Sequence, residues 1–446
     1  MDQAALPSPA TYLQGAPVST ELHEPQPEAP EEAAAQVAAP EIIADSLGEY
    51  ARIWWRRVRS GESGALPVII GLIAIVVYFQ VRSSLFLSAG NLVNLMTQAA
   101  WIIMLGMAEV FVLLLGEIDL SIGYSSVIGA VITCWLLSLS HPVPWWLAVL
   151  AGLAFPTAYG ALQGVIITRL RLPSFVVTLA GLLAGQGLLL YTINKAAPNS
   201  GGTIRLTSTV LNDIENGSLS PAAGWIAVAA AVVLAAAYMV TRDNRRRASG
   251  LAAPPASVTW LKVAVMAIAG VVVVLIGNTN RGVAIAVRGV PWVVLLVLVV
   301  LVAWSTLLGR TRFGRYVYAI GGNAEAARRA GINLSRIRVL AFSLAGLTAG
   351  IMGIIYASLL NGVSSNVNGG QYVLYAVAAA VIGGVSLFGG RGRMLGAVLG
   401  GLIVAVIYNG LSLLSLGAAA QDIWTALVLL AAVTVDTLAR RGQATP

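Results

Sequence analysis

Cysteine, histidine and lysine are scarce in this chain, and each shortage removes a class of function. A single cysteine, Cys134, cannot make an internal disulfide, and two histidines, His23 and His141, leave no cluster with metal-ligand spacing. Neither lysine, Lys195 or Lys262, follows a glycine, so the Gly-Lys-Ser/Thr pattern that cradles nucleotide phosphates is missing. The chain is therefore expected to bind no metal or cofactor and to have no nucleotide engine of its own. No His-Asp or Cys-His pair in the apolar runs suits an intramembrane enzyme. Charged residues make up only 10% of the sequence, far below the roughly 25% of a soluble domain.

What is present is apolar: 58% of 446 residues are hydrophobic and the mean hydropathy is +0.82. Such a chain belongs in a bilayer. Its net charge of +8 hides a split. Residues 1–50 hold nine acids and no Lys or Arg, and are rich in Ala and Pro without periodicity; the remaining residues carry 27 − 10 = +17. The first 50 residues read as a disordered acidic tail, 51–441 as the membrane domain, and 442–446 as a short tail. The arginines lie between apolar runs and not on one face, which argues for membrane orientation and against nucleic acid.

Runs near the roughly 20 residues needed to cross a bilayer fall at 66–82, 93–115, 122–140, 145–169, 174–194, 222–241, 259–277, 290–308, 338–360, 372–387, 394–413 and 420–437. The expectation is an all-α polytopic protein of about twelve spans. With the first residue inside, only Arg82, Lys195, Arg205, Arg281 and Arg288 fall outside, leaving 22 of 27 basic residues on the inner face. Both termini are thus expected to be cytoplasmic. "LLLGEIDLSIGYSS" and "VIGGVSLFGGRGRMLG" interrupt their runs with small residues, as broken helices do, and spans two to five against nine to twelve would form an inverted repeat.

Acidic residues in or beside spans are functional candidates. Glu109 and Asp436 lie within runs, and Glu117 and Asp119 stand in "GEIDLS". Glu109 is either a structural hydrogen-bond partner or part of a path. Asp119 and Ser121 suit helix N-caps, with a role in a gate as the alternative. Thr178 and Gln186 lie on one span, where Gln186 could meet a polyol or a neighbouring helix; Asn409 completes the path candidates.

"GGNAEAARRAGI" lies in the cytoplasmic connection 309–338. Asn323 suits the N-cap of a short helix and Gly331 its left-handed stop, while Glu325, Arg328 and Arg329 suit its dipole. With Ala324, Ala326, Ala327 and Ala330 it would offer a flat small-residue face to a partner's groove. The alternative is a solvated helix resting on lipid headgroups, but it lacks Trp, Phe or Leu to anchor it there.

"VFVLLLGEIDLSIG", "LPSFVVTLAGLLAGQGLLL", "RGVPWVVLL", "RTRFGRYVYAIGGNAEAARRAGIN" and "AAAVIGGVSLFGGRG" follow one another in order. Together they resemble the permease subunits of bacterial carbohydrate ABC importers of the ribose and xylose type, most of all the xylose permeases. The resemblance implies a second copy of the chain, cytoplasmic ATPase subunits that use ATP and Mg, an extracytoplasmic sugar-binding protein, a monosaccharide substrate, and residence among lipid in the bacterial inner membrane. It also implies that Asn323–Ile332 is the coupling element seated in the ATPase. Tyr375 stands where the family commonly has an acid. The rival function is a proton-coupled sugar transporter with Glu109 or Asp119 carrying the charge.

Overall fold

The computed structural model describes residues 47–59, 66–198, 201–251, 253–282, 286–417 and scattered positions from 419 to 434. Helix α1 (Leu47–Arg59) comes first, so the expected tail is already helical from Leu47. Leu47, Tyr50, Ile53 and Trp54 recur at helical spacing there, and this overrides the composition of the preceding residues. Residues 1–46 and 442–446 lie outside the described residues.

The spans follow as α2 (Leu66–Arg82), α3 (Ala89–Leu113), α4 (Ile122–Ser138), α5 (Trp145–Leu170) and α6 (Ser174–Ala196). A short strand β1 (Thr203–Arg205) and helix α7 (Thr209–Asn216) lead to α8 (Pro221–Ala248), α9 (Ala256–Asn278) and α10 (Trp292–Arg310). Then come α11 (Arg312–Gly322), α12 (Ala324–Arg329), α13 (Leu334–Leu359), strand β2 (Gly362–Ser364), α14 (Gly369–Ile382) and α15 (Met394–Leu413). Eight of these helices are long and apolar enough to cross a membrane, and α2, α4 and α14 are shorter apolar helices. Together they account for the first eleven expected runs; the twelfth, 420–437, lies largely outside the described residues.

Helix α3 is the core. It is largely apolar, and from Ala99 to its end at Leu113 it is buried without interruption, chiefly by α13, α14 and α15 with α10 alongside. Helices α8, α9 and α10 are likewise largely apolar yet mostly exposed, with Ile226, Leu234, Ile268 and Val299 facing outward. Their solvent is lipid. Small residues decide which helices sink into the core: at Gly346 of α13 a Cβ would stand 2.0 Å from the Pro156 carbonyl oxygen of α5.

β1 and β2 pair antiparallel, with Ile204 opposite Val363, and α7 packs beside them against the end of α13. This end of the bundle holds the α6–α7 and α13–α14 connections. The opposite end holds segment 114–121, α11, α12 and segment 383–393. The α3–α4 and α13–α14 connections thus open at opposite ends, as an inverted repeat requires.

Candidate coupling and translocation site

At Leu113 helix α3 stops, and Gly116 at φ +75° turns the chain back. The turn surfaces at Gly116 and Glu117 and returns inside at Asp119, which is buried. The Asp119 amide donates to Glu109 Oε1 at 3.2 Å. Ser121 donates twice to Asp119 Oδ1, from its amide at 2.8 Å and its hydroxyl at 2.7 Å. Gln163 Nε2 of α5 donates to Ser121 Oγ at 2.6 Å, and Thr178 Oγ1 of α6 donates to the Ile118 carbonyl at 3.1 Å. Glu117 lies 3.1 Å from Arg338 Nε of α13. This eight-residue break therefore ties together α3, α4, α5, α6 and α13.

Asp119 and Ser121 are brought together, though not as the helix caps expected. Ser121 holds the N-cap position of α4 without accepting an amide, because its oxygen accepts from Gln163 and its proton goes back to Asp119. Glu109 meets the break through one oxygen, while Oε2, like Gln163 Oε1, is buried with no hydrogen-bond partner among the described residues. Gln163 was not legible as a site residue, since nothing in its local sequence marks it.

The second break, 383–393, packs on the first. Gly384, Gly389, Gly390 and Gly392 all take positive φ there. The Gly390 amide donates to the Leu114 carbonyl at 2.9 Å, and Tyr318 OH of α11 donates to the Gly392 carbonyl at 2.8 Å. Gly321, near the end of α11, is wedged between both: a Cβ there would stand 1.8 Å from Leu114 O and 2.4 Å from Gly390 N. Only a residue without a side chain permits this approach.

Directly after that wedge comes α12. Asn323 Oδ1 accepts the Ala326 amide at 2.9 Å. Gly331 takes φ +82°, its amide donates to Arg328 O, and the Ile332 amide donates to Ala327 O, both at 3.0 Å. This paired closure satisfies the last carbonyls of the helix. Arg328 and Arg329 both bond Glu325, at 2.8 to 3.1 Å, and hold its carboxyl down at about 2. The alanine face differs from expectation. Ala327 is buried against the chain's own core, and Ala324 is half-buried on the same side, one turn away. The outer face consists of Glu325, Ala326, Arg328, Arg329 and Ala330.

The remaining candidates scatter. Asn409 of α15 exchanges hydrogen bonds with Asn91 of α3 at 2.9 and 3.1 Å and donates to Gln98 Oε1 at 3.1 Å, at the strand end of the bundle. Gln186 is exposed on α6, away from the break. Asp436 lies outside the described residues. An aromatic cluster that the sequence did not disclose stands between the amides and the breaks: Trp101 packs on Tyr356, Tyr372, Tyr375 and Tyr408, with centroids 5.2 to 6.4 Å apart. Tyr375 is thus part of a ring stack, and its hydroxyl accepts from Gln371 Nε2 at 2.9 Å.

A family model described as the branched-chain amino acid transport system permease component matches residues 91–435. The xylose transport system permease protein of Escherichia coli K12 is 35% identical over 376 residues, 84% of this chain and 92% of that protein. The ribose import permease protein of the same strain is 30% identical over 84% of this chain and 93% of its own length. The fructose import permease protein of Rhizobium meliloti is 28% identical over 85% and 87%. No solved structure matches. Both breaks, the wedge at Gly321 and α12 fall inside the matched residues, and the chain belongs to this family of multi-pass, non-catalytic membrane permeases.

Proposed function

We propose that the chain is the membrane-spanning subunit of an ATP-driven importer that moves a monosaccharide, a pentose such as xylose, inward by alternating access. It works as one of two copies in the bacterial inner membrane. Cytoplasmic ATPase subunits use ATP and Mg, and an extracytoplasmic binding protein delivers the sugar. The end bearing the breaks faces the cytoplasm, as do both termini. In support, Arg312, Arg315, Arg328, Arg329, Arg391 and Arg393 gather at that end, while Lys195 and Arg205 lie at the other.

The observation that carries this reading is the line of close contacts leading inward from α12. Gly321 touches the backbone of Leu114 and Gly390. Leu114 leads to Ile118, Asp119 and Ser121, and these hold Thr178 of α6 and Gln163 of α5. Force applied to the outer face of α12 thus meets no flexible side chain before it reaches the breaks. ATP binding by the partner would favour one arrangement of the breaks over the other, and the sugar path follows by population shift.

Purifying the tagged full-length chain from its own host tests the reading. An ATPase and a sugar-binding protein should co-purify, and reconstituted vesicles should take up labelled xylose only with ATP. Uptake by the chain alone, driven by a pH gradient, would overturn the proposal in favour of proton coupling through Glu109 or Asp119.

A further inference from the structure

Helix α6 is fastened to its own chain along one stripe. Thr178 bonds the first break, Gly181 backs onto Ser121 and Gln163, Gly185 onto Tyr124, and Leu189 and Ile193 are buried. The opposite side is uncovered: Leu179, Leu183 and Leu190 are exposed, and so is Gln186. Gln186 is the thirteenth of the 23 residues of α6, midway along a helix long enough to cross the hydrocarbon. It makes no hydrogen bond to any described residue.

A carboxamide facing lipid tails at that depth has nothing to bond, and that is costly. The exposed mid-span faces of α8, α9 and α10 carry Leu234, Ile268 and Val299 and no such group, as a surface for lipid should. A carboxamide holds two N–H donors and a carbonyl acceptor, so the same side chain on a copy related by a two-fold axis meets it with two reciprocal N–H···O bonds, one donated and one accepted by each. Lipid tails and an apolar partner helix cannot. Beside Gln186, Ala180, Ala184 and Gly187 are exposed, and a Cβ at Gly187 would meet nothing within 4 Å. Small residues there would let a second backbone come close.

We propose that the Gln186 face of α6 is the surface on which two copies of this chain meet, the two carboxamides facing each other across the two-fold axis. The inference rests on the reading of the permease as a two-copy assembly and adds which helix forms its centre. It also connects the assembly axis to the first break, because the helix presenting Gln186 is the one bonded to Ile118.

The single native cysteine is fully buried, so introduced thiols report on the surface with little background. The full-length chain carrying Gln186→Cys, Gly187→Cys or Leu183→Cys is oxidised in membranes with copper phenanthroline, with Leu234→Cys and Ile268→Cys as lipid-face controls. Covalent dimers should form at the α6 positions at least tenfold more than at the controls. In the otherwise native chain, Gln186→Leu should lower the dimer fraction counted by photobleaching about tenfold, and Gln186→Asn should retain most of it. Cross-linking at the controls and not at α6 would overturn the interface while leaving two copies standing. Equal cross-linking everywhere would overturn it as chance collision. A monomer by every measure would overturn both the interface and the two-copy reading.

Discussion

An alanine at position 321 is the sharpest perturbation that the structure offers. Its Cβ would be built 1.8 Å from Leu114 O and 2.4 Å from Gly390 N. Ordinary contact with a carbon begins at about 3.5 Å, and a Cβ has no rotamer with which to escape, so α11 must withdraw from both breaks by more than about 1 Å. Overpacking of this kind costs ~1–3 kcal/mol, and contact with backbone on two sides places the cost toward the upper end. Gly322→Ala is the control, because nothing lies within 4 Å of a Cβ there. Three readouts are needed on the complex purified from its host: co-purified ATPase, the rate of ATP hydrolysis, and labelled sugar taken up per ATP. Gly321→Ala leaves the outer face of α12 untouched, so the ATPase should still bind and hydrolyse. Sugar per ATP should fall about tenfold, while Gly322→Ala matches the native chain. A destabilised Gly321→Ala complex whose sugar-to-ATP ratio stays within about twofold of native would refute the argument, since Gly321 would then serve packing alone.

Other expectations use the same structure. Glu215 on α7, at the strand end, is buried with both oxygens unpartnered among the described residues, and burial pushes its carboxyl up to about 9. A raised carboxyl contributes fully to stability below its unfolded value near 4.5 and loses that contribution as pH rises toward 9; Glu215→Gln should therefore raise stability at pH 8, by at most about 5 kcal/mol, seen as a higher thermal midpoint, and change little at pH 4.5. An equal response at both pH values would refute this. Glu117→Arg and Arg338→Glu should each lower sugar uptake, and the double exchange should restore most of it; additive losses would show that the pair does not hold the break to α13. Asn409→Ala leaves Asn91 and Gln98 short of a partner and should cost ~1–2 kcal/mol in a denaturation series, whereas a neutral result would mean that the amides re-pair.

The membrane fold was legible because it depends on length and hydropathy, and eleven of the expected runs are observed helices. The α12 element was legible for a different reason: caps act within three or four residues, and Asn323 and Gly331 do locally what their residue types permit. The orientation of α12 was not. Whether Ala327 points in or out depends on where the flanking helices α11 and α13 sit, and α11 is placed by backbone contacts with Leu114 and Gly390, distant in sequence. The same holds for Ser121, whose capping oxygen is taken by Gln163, 42 residues away. The five-ring stack draws on α3, α13, α14 and α15, and no window of sequence contains more than two of its members close together.

The materials of the relay bear on how it can move. From Gly321 through Leu114 and Gly390 the contacts are between backbone groups, and at Gly181 and Gly185 of α6 the neighbours again approach a bare Cα. Side-chain contacts absorb a small displacement by rotamer change, whereas backbone contacts transmit it or separate. The polar bonds of the first break have the complementary property. Asp119, Ser121 and Gln163 are buried, so a displacement that parted them would strand their groups, and the segment should shift as a unit. On the proposed function, a bare-backbone drive joined to a bonded, indivisible turn would give two arrangements and few intermediates. The left-handed glycines of 383–393 can accommodate that shift at the base of α14, and α14 carries Tyr372 and Tyr375 of the aromatic stack. Displacement at α12 is therefore expected to loosen the stack around Trp101, which makes the fluorescence of that one indole, in a chain whose other tryptophans are replaced, a readout of the motion.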